Sequence, residues 1–242
     1  KVDPSLVKDL EAYGLKDAKK CFQCGNCTAV CPLSTPDNQF PRRFMKYVQL
    51  GLGDRILSSP EPWLCYYCGD CSDRCPRKAD PGETMMAMRR YLTSKYDWTG
   101  FSRRFYTSES FEILAVVILG ILIGLALVIF RAGNPNMEHA FLNSVWPAPA
   151  IEIADMVMAG ILTFFLLTNT WRCARFIMGD LLFKIPPAIY VKQAWHLVVH
   201  FLTQRKFGEC TDRMQWLVHL LIMTGYSTAF LLVAVFLAGG IH

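Results

Sequence analysis

The segment "CYYCGDCSDRCP" at residues 65–76 contains four cysteines within its first eleven residues, and a proline follows the last cysteine. The same arrangement occurs 44 residues earlier in the chain, as "CFQCGNCTAVCP" at residues 21–32. This offset superposes the four cysteines, the closing proline and one glycine of each copy. The chain therefore contains an internal repeat, and the identical positions are all cysteine, glycine or proline.

Each copy has the spacing C-x2-C-x2-C-x3-C-P of bacterial ferredoxins, in which the fourth cysteine ligates the cluster of the other copy. Three thiolates two residues apart can wrap one face of a 4Fe–4S cubane, and the extra residue and the proline turn the fourth away. The predicted ligands of the first 4Fe–4S cluster are Cys21, Cys24, Cys27 and Cys75. Those of the second are Cys65, Cys68, Cys71 and Cys31. The competing interpretation is a pair of zinc sites, although structural zinc usually takes two separated pairs of ligands.

Hydropathy divides the 242-residue chain into a polar, cysteine-rich N-terminal part and a more apolar remainder. Three apolar stretches are long enough to cross a hydrocarbon core of about 30 Å, and they lie at about residues 111–130, 153–172 and 215–240. The predicted fold is all-α: an α-helical two-cluster ferredoxin-type domain over residues 1–100, followed by a transmembrane helix bundle over residues 101–242. Because the chain begins with Lys1 and stops within the last stretch, we expect further residues at both ends.

The loop charges predict the orientation of these spans. Seven lysine and arginine residues lie between the second and third spans, from Arg172 to Arg213, whereas Arg131 is the only one between the first and second. The positive-inside rule therefore predicts a multi-pass membrane protein with its cysteine-rich domain in the cytoplasm. Disulfides are rare in that compartment, which favours metal binding. The net charge of +5 reflects the same loop bias, and no nucleic-acid-binding motif accompanies it.

Three shorter helices are predicted from their caps and their apolar periodicity. Residues 41–52 have Pro41 at the first helical position. Residues 80–96 begin with Asp80 as the N-cap, and the methionines that follow are expected in the core rather than at a metal. Residues 188–204 are expected to form an amphipathic helix on the cytoplasmic surface of the membrane.

The stretch "CFQCGNCTAVCP…PRRFMKYVQLGL…ILSS…WLCYYCGDCSDRCPR" resembles the iron–sulfur component C of heterodisulfide reductases, over about residues 15–95. The whole chain resembles the membrane subunits of the quinone-interacting membrane-bound oxidoreductase complexes of sulfate reducers. In that family a domain similar to heterodisulfide reductase C precedes a cytochrome b domain similar to the nitrate reductase gamma subunit. The resemblance implies two 4Fe–4S clusters, one or two haem b groups, and a quinone as the substrate.

The resemblance also implies partner proteins, namely flavin and iron–sulfur subunits similar to heterodisulfide reductase A, with adenylylsulfate reductase beyond them. The chain would then be one subunit of a quinone-dependent oxidoreductase that carries electrons in sulfate respiration. No nucleophile, flavin or nucleotide motif is visible, so no catalytic residue is assigned. Two alternatives remain. One is a membrane anchor without haem, and the other is an iron–sulfur subunit of a sulfite reductase-linked or glycerol-3-phosphate dehydrogenase-like complex.

His219 is the leading candidate for a haem b ligand. It lies about one turn inside the third predicted span, between apolar residues, where a histidine is costly unless it has a function. The nitrate reductase gamma-like family carries a haem ligand at the start of such a helix, preceded by an arginine like Arg213. The alternative is a core histidine that bonds a backbone carbonyl.

The other histidines are weaker haem candidates. His196 and His200 share one face of the 188–204 helix, either as solvated residues or with one of them, preferably His200, as a haem ligand or a proton carrier near a quinone. His242 lies about 34 Å beyond His219 along a helix, so it would serve a separate haem near the opposite membrane face.

The first two predicted spans contain no histidine, which departs from the family pattern and leaves the second axial ligand of any haem unassigned. His139 lies in the loop between these spans, as a proton-releasing group at a quinol site or as a solvated residue. Cys173 and Cys210 fit no ligand spacing and are expected to be small buried thiols.

Overall fold

The computed structural model describes residues 1–130, 148–205, 207–209 and 212–239. Within these ranges the chain is built from α-helices joined by turns and short 3₁₀ segments, without any strand, which confirms the all-α prediction for them. The helices are α1 (Leu6–Glu11), α2 (Asn26–Val30), α3 (Arg42–Gln49), α4 (Gly53–Leu57), α5 (Glu61–Leu64), α6 (Asp70–Asp73), α7 (Pro81–Tyr96), α8 (Phe101–Thr107), α9 (Glu109–Ile129), α10 (Ala148–Met178), α11 (Leu181–Lys184), α12 (Pro187–Thr203) and α13 (Arg213–Gly239).

The chain divides into two compact units. One consists of Lys1–Tyr96 together with the described part of Cys173–His242, and the other of Asp97–Arg172. The second segment of the first unit begins at Cys173, whose half-buried side chain packs against the N-terminal core. The division into residues 1–100 and 101–242 remains a prediction, because compact units follow packing and not membrane topology.

The core of the N-terminal domain forms where α1, α3 and α7 pack together. Its fully buried side chains include Leu6, Leu10, Phe44, Val48, Met85, Met88 and Leu92. Burial of a side chain of this size contributes about 1.5–3 kcal/mol to folding. The prediction that Met85 and Met88 of α7 belong to the core is therefore confirmed.

The two main helices of this domain begin in different ways. Helix α7 starts as predicted, because Oδ1 of Asp80 accepts the backbone N–H of Glu83 at 3.2 Å and Pro81 is the first helical residue. In α3, by contrast, Pro41 is the N-cap and the helix begins at Arg42, so the predicted first position was wrong by one residue. Proline suits either place, since neither requires a backbone N–H for an intrahelical bond.

Three helices are long and apolar enough to cross a membrane: α9, α10 from Pro149 and α13 from Arg213. None of the residues in their apolar windows is buried in the protein alone, as expected of residues that face lipid. The three predicted spans are therefore present as helices. Helix α12 covers the segment predicted to be amphipathic, and its place on a membrane surface remains a prediction.

Candidate iron–sulfur site

The two cysteine loops have the same backbone conformation. Gln23 and Tyr67 are equivalent in the repeat and have φ of 64° and 56°, and the equivalent glycines Gly25 and Gly69 both have φ of 90°. A side chain in this left-handed region costs about 1–2 kcal/mol. Helices α2 and α6 begin directly after the glycines and pack against each other. Turns that mix left- and right-handed residues direct backbone N–H groups into a concavity, which suits an iron–sulfur cluster.

The second site brings the last cysteine of the first copy together with three cysteines of the second. One pocket is lined by Cys31, Cys65, Cys68 and Cys71, and its wall is completed by apolar side chains such as Phe40, Pro41 and Met85. Burial raises the pKa of Cys71 to about 12 and that of Cys31 to about 11, and the neighbouring cysteine charges contribute to both shifts. Metal binding deprotonates such thiols. The iron of a bound cluster would then compensate the negative charge of the four neighbouring thiolates.

The first site is more open. Cys24 is exposed and Cys21 is half-buried, whereas Cys27 is buried. Burial is the main cause that raises the pKa of Cys27, and the charges of Cys21 and Cys24 contribute to the shift. Cys75 is half-buried against the core, where the N–H of Ala79 donates to its Sγ at 3.3 Å. The ligand sets of both clusters, including the crossed fourth cysteines, remain predictions.

The hydrogen-bond donors around the sulfur atoms fit iron–sulfur clusters. The N–H of Tyr67 lies 3.4 Å from Cys65 Sγ, and Nε2 of Gln23 lies 3.6 Å from Cys21 Sγ. Hydrogen bonds to the sulfurs are among the factors that set the reduction potential of a cluster. In the part of the chain that the structure describes, no three histidine, cysteine or carboxylate side chains converge on a single metal ion. A cubane spreads its four ligands over four iron atoms, so a set too wide for one zinc ion is compatible with a cluster.

Arg89 of α7 fixes the segment that precedes the second loop. Its guanidinium donates to the carbonyl oxygens of Pro62 at 2.6 Å, of Trp63 at 2.9 Å and of Cys65. Burial lowers the pKa of Arg89, and the negative charge of Cys65 opposes this shift. Arg89 was not predicted from the sequence, because an arginine in a helix gives no sign of carbonyl partners 24 to 27 positions earlier in the chain.

Gln49 of α3 supports the first loop as Arg89 supports the second, by donating to backbone carbonyl oxygens. Its Nε2 donates to the carbonyl oxygens of Ala18 at 3.1 Å and Cys21 at 2.7 Å, and its Oε1 accepts from Gln23 at 2.9 Å. A neutral amide therefore supports the first loop where a cation supports the second. Gln49 was not predicted either, since its partners lie on another element.

His219 lies near the start of α13 and is linked to the second cysteine loop by aromatic rings. Its ring meets Phe207 edge-on, with centroids 5.5 Å apart, and Phe207 stacks on Tyr66 at 5.4 Å with an interplanar angle of 6°. Tyr66 directly follows the first cysteine of the second copy. Nδ1 of His219 is hydrogen-bonded to Oε1 of Gln204. The alternative of a core histidine on a backbone carbonyl does not match this exposed ring with a side-chain partner.

The remaining residues with predicted roles lie outside the two cysteine loops. His196 and His200 are exposed on α12, and their roles remain predictions. Cys173 is half-buried rather than fully buried. Three further residues with predicted roles lie outside the described part of the chain: His139, Cys210 and His242.

The family profile of the 4Fe–4S dicluster domain matches residues 20–79, which contain both cysteine loops. The match ends before the first candidate span. This domain is therefore an iron–sulfur domain, and the interpretation of the cysteines as isolated zinc sites loses its support.

Curated proteins of similar sequence are the C components of heterodisulfide reductases. A protein of Archaeoglobus profundus, named as similar to heterodisulfide reductase component C, is 37% identical over 92 residues, which are 38% of this chain and 47% of that protein. Component C of the H2:CoB-CoM heterodisulfide,ferredoxin reductase of Methanothermobacter thermautotrophicus is 36% identical over 64 residues, 26% of this chain and 35% of the relative. The second iron–sulfur component C of the CoB–CoM heterodisulfide reductase of Methanocaldococcus jannaschii is 36% identical over 81 residues, 34% of this chain and 43% of the relative.

The chain spans less than half the length of these relatives. No solved structure matches it. Together, the site and the comparisons show an iron–sulfur domain similar to that of heterodisulfide reductase C. The same chain has three helices that are long and apolar enough to span a membrane.

Proposed function

We propose that this chain is a membrane electron-transfer subunit that passes electrons between the quinone pool and cytoplasmic redox partners through haem b and two 4Fe–4S clusters. Cys21, Cys24, Cys27 and Cys75 would hold the first cluster, and Cys31, Cys65, Cys68 and Cys71 the second. His219 would hold the haem. The chain would have no catalytic nucleophile of its own, and its residues would bind, orient and insulate the redox groups.

One observation carries this proposal: a continuous aromatic contact joins the second cysteine loop to the histidine of the third candidate span. Tyr66 stacks on Phe207, and Phe207 meets the ring of His219. Electrons pass between protein-bound centres most readily where packed atoms leave no gap. A chain of rings between a cluster loop and a membrane helix is what a protein that carries electrons between them needs.

The surroundings of His219 support its role as a haem ligand. A metal-binding histidine usually donates its second ring N–H to an oxygen acceptor, which fixes the tautomer and the ring orientation. Oε1 of Gln204 is such an acceptor for Nδ1, and Nε2 is then left unprotonated for iron. A bound haem b would supply a one-electron carrier between the two-electron chemistry of quinol and the clusters. His200 lies one turn before Gln204 and is the other residue that would hold the haem.

The partners follow from the resemblance and from the relatives. The C components of heterodisulfide reductases are named as parts of larger complexes, which supports association of this chain with other redox subunits. We assign it flavin and iron–sulfur partners similar to heterodisulfide reductase A, and adenylylsulfate reductase as the final cytoplasmic enzyme. The excess of basic residues between α10 and α13 supports a cytoplasmic position of the iron–sulfur domain.

A visible spectrum of the dithionite-reduced protein tests the haem. We expect a b-type alpha band together with about eight iron atoms and eight sulfide ions per chain in the clusters. The variant H219A should lose the alpha band and keep the cluster iron, whereas the exposed neighbour variant H196A should keep both. An alpha band that persists in H219A would remove His219 from the haem site.

A second function is favoured by one observation. Helices α9 and α10 contain no histidine, so two of the three candidate spans offer no imidazole as a partner for His219. The second candidate is therefore a haem-free membrane anchor in which the clusters alone carry electrons. The same spectrum decides between the two, since clusters without an alpha band would support the anchor.

A further inference from the structure

The repeat places an aromatic residue at the same point of each cysteine loop. Phe22 directly follows Cys21 as Tyr66 directly follows Cys65. The next residue of each loop, Gln23 or Tyr67, has the same left-handed backbone. Both aromatic side chains therefore leave their loops at equivalent positions beside a predicted cluster ligand.

The two aromatic residues differ in what covers them. The ring of Tyr66 is stacked by Phe207, and Tyr66 is 36% exposed. Phe22 is 59% exposed and has no ring partner among the described residues. The chain thus covers the aromatic position of its second loop with its own α12–α13 connection and leaves that of its first loop open.

Cationic side chains lie beside Gln23, the residue that directly follows Phe22. Gln23 lines a surface pocket with Arg42, Lys46 and Leu50 of the α3 region. Arg42 reaches over the first loop, since its Nη1 lies 3.4 Å from where a Cβ on Gly25 would stand. Neither Arg42 nor Lys46 forms an ion pair with a described residue.

We propose that Phe22, Gln23, Arg42, Lys46 and Leu50 form the docking surface for a soluble redox partner, which has an acidic surface around an exposed apolar group. We refer to these five residues as the first-loop face. The proposal rests on the proposed electron-transfer function and deepens it, because it assigns the second cluster to the membrane side and the first to the partner.

The chemistry of the first-loop face identifies the kind of partner. Unpaired cations attract an acidic surface and raise the rate of encounter by ten- to a thousandfold, with a steep dependence on salt. The exposed side chains of Phe22 and Leu50 supply a small apolar area, which is enough for the short-lived contacts of electron carriers. The step itself is balanced: one electron leaves a reduced 4Fe–4S cluster, and the acceptor of the partner gains it.

The test uses the full chain in detergent, reduced with dithionite and freed from excess reductant. It is mixed with either of two ferric probes, a small acidic b-type cytochrome domain or a basic c-type cytochrome. Each transfer oxidises one cluster by one electron and reduces one haem iron from ferric to ferrous, which is followed by stopped-flow absorbance. The wild-type chain should reduce the acidic probe faster at low salt than at high salt, and the basic probe should lack this acceleration.

Matched variants locate the effect. F22A should slow reduction of the acidic probe about tenfold, and the double variant R42Q/K46Q should remove most of its salt dependence. F22Y retains the ring and should retain the rate. The control L64A removes an apolar side chain that is 53% exposed just before the second loop, and should leave the rate unchanged. Iron content is measured in each variant, and if F22A loses iron, R42Q/K46Q decides the question.

Unchanged rates and salt dependence in both F22A and R42Q/K46Q would overturn the proposal. So would a change from dimer to monomer in F22A by sedimentation, because the first-loop face would then bind a second copy of this chain. The assay requires no haem or quinone on this chain. Absence of the alpha band would therefore refute the haem-based function and leave the docking result standing.

Discussion

The two copies of the cysteine repeat have the same loop backbone and different surroundings. Their left-handed positions and their short helices coincide. Around the first copy lie the neutral amide of Gln49, the cations Arg42 and Lys46, which form no ion pair with a described residue, and the exposed ring of Phe22. Around the second lie the guanidinium of Arg89, an apolar pocket, and Phe207 stacked on Tyr66.

This difference shows that the repeated and the unrepeated positions of the two loops have different roles. The repeated positions, which are cysteine, glycine and proline, determine what the loops can bind. The positions that are not repeated determine the charge near each site and the surface that each loop presents. Two similar cluster sites can therefore face different neighbours and have different reduction potentials without any change in their ligands.

The largest expected effect comes from breaking the crossed ligation. C75A should remove the cluster held by Cys21, Cys24 and Cys27, and C31A should remove the cluster held by the second copy. Each variant should retain about four of eight iron atoms. Because the two clusters differ in surroundings, their electron paramagnetic resonance signals should differ, and each variant should lose the signal of the opposite copy. Loss of the signal of a variant's own copy would show that ligation is not crossed.

The glycines test whether both loops need the same backbone. G25A and G69A should each lower the free energy of unfolding by about 1–2 kcal/mol, since alanine is strained at a φ of 90°. The two losses should be similar, because a Cβ at Gly25 would lie 3.4 Å from the flexible end of Arg42 and one at Gly69 would lie 4.0 Å from Asp73, both ordinary contacts. The measurement is the denaturant concentration at which cluster absorbance is lost.

The matched control for these variants is G53A, at a glycine without a positive φ. A Cβ at Gly53 would meet Leu6 at 3.6 Å, which is an ordinary contact. Its free energy of unfolding should stay within about 0.5 kcal/mol of the wild type. An equal loss in all three variants would mean that the left-handed backbone is not the cause.

The smallest expected effect concerns the charge that distinguishes the second copy. R89M removes a cation beside Cys65, so the second cluster should become harder to reduce, with a potential lower by on the order of tens of millivolts. The first cluster should be unaffected in a redox titration followed by electron paramagnetic resonance. R90M is the control, because Arg90 donates to Tyr13 and Glu83 and not to a cysteine residue. Equal shifts in R89M and R90M would indicate a general change of charge instead.

The features that could be predicted from the sequence are those that depend on residues close together in the chain. The spacing of the cysteines, the cap at Asp80 and the three apolar stretches all have local signals, and the corresponding elements are present. The predicted first residue of α3 was wrong by one position, because proline is tolerated on both sides of a helix start.

The features that could not be predicted are contacts between distant parts of the chain. Arg89, Gln49 and Phe207 act on loops from other elements, and their roles depend on side-chain directions that the sequence does not state. For Phe207 no periodicity or motif singled out the residue.

The stacking of Tyr66 on Phe207 also has a consequence for biosynthesis. The two residues are 141 positions apart in the chain. At about 5–20 residues per second, the ribosome needs roughly 7–28 s to synthesise this interval. During that time Gln49, which follows the first loop closely in the chain, can already support that loop. The ring of Tyr66 stays without Phe207 until the interval has been synthesised. Cluster assembly factors would therefore meet the second loop in a more accessible form than the finished protein shows.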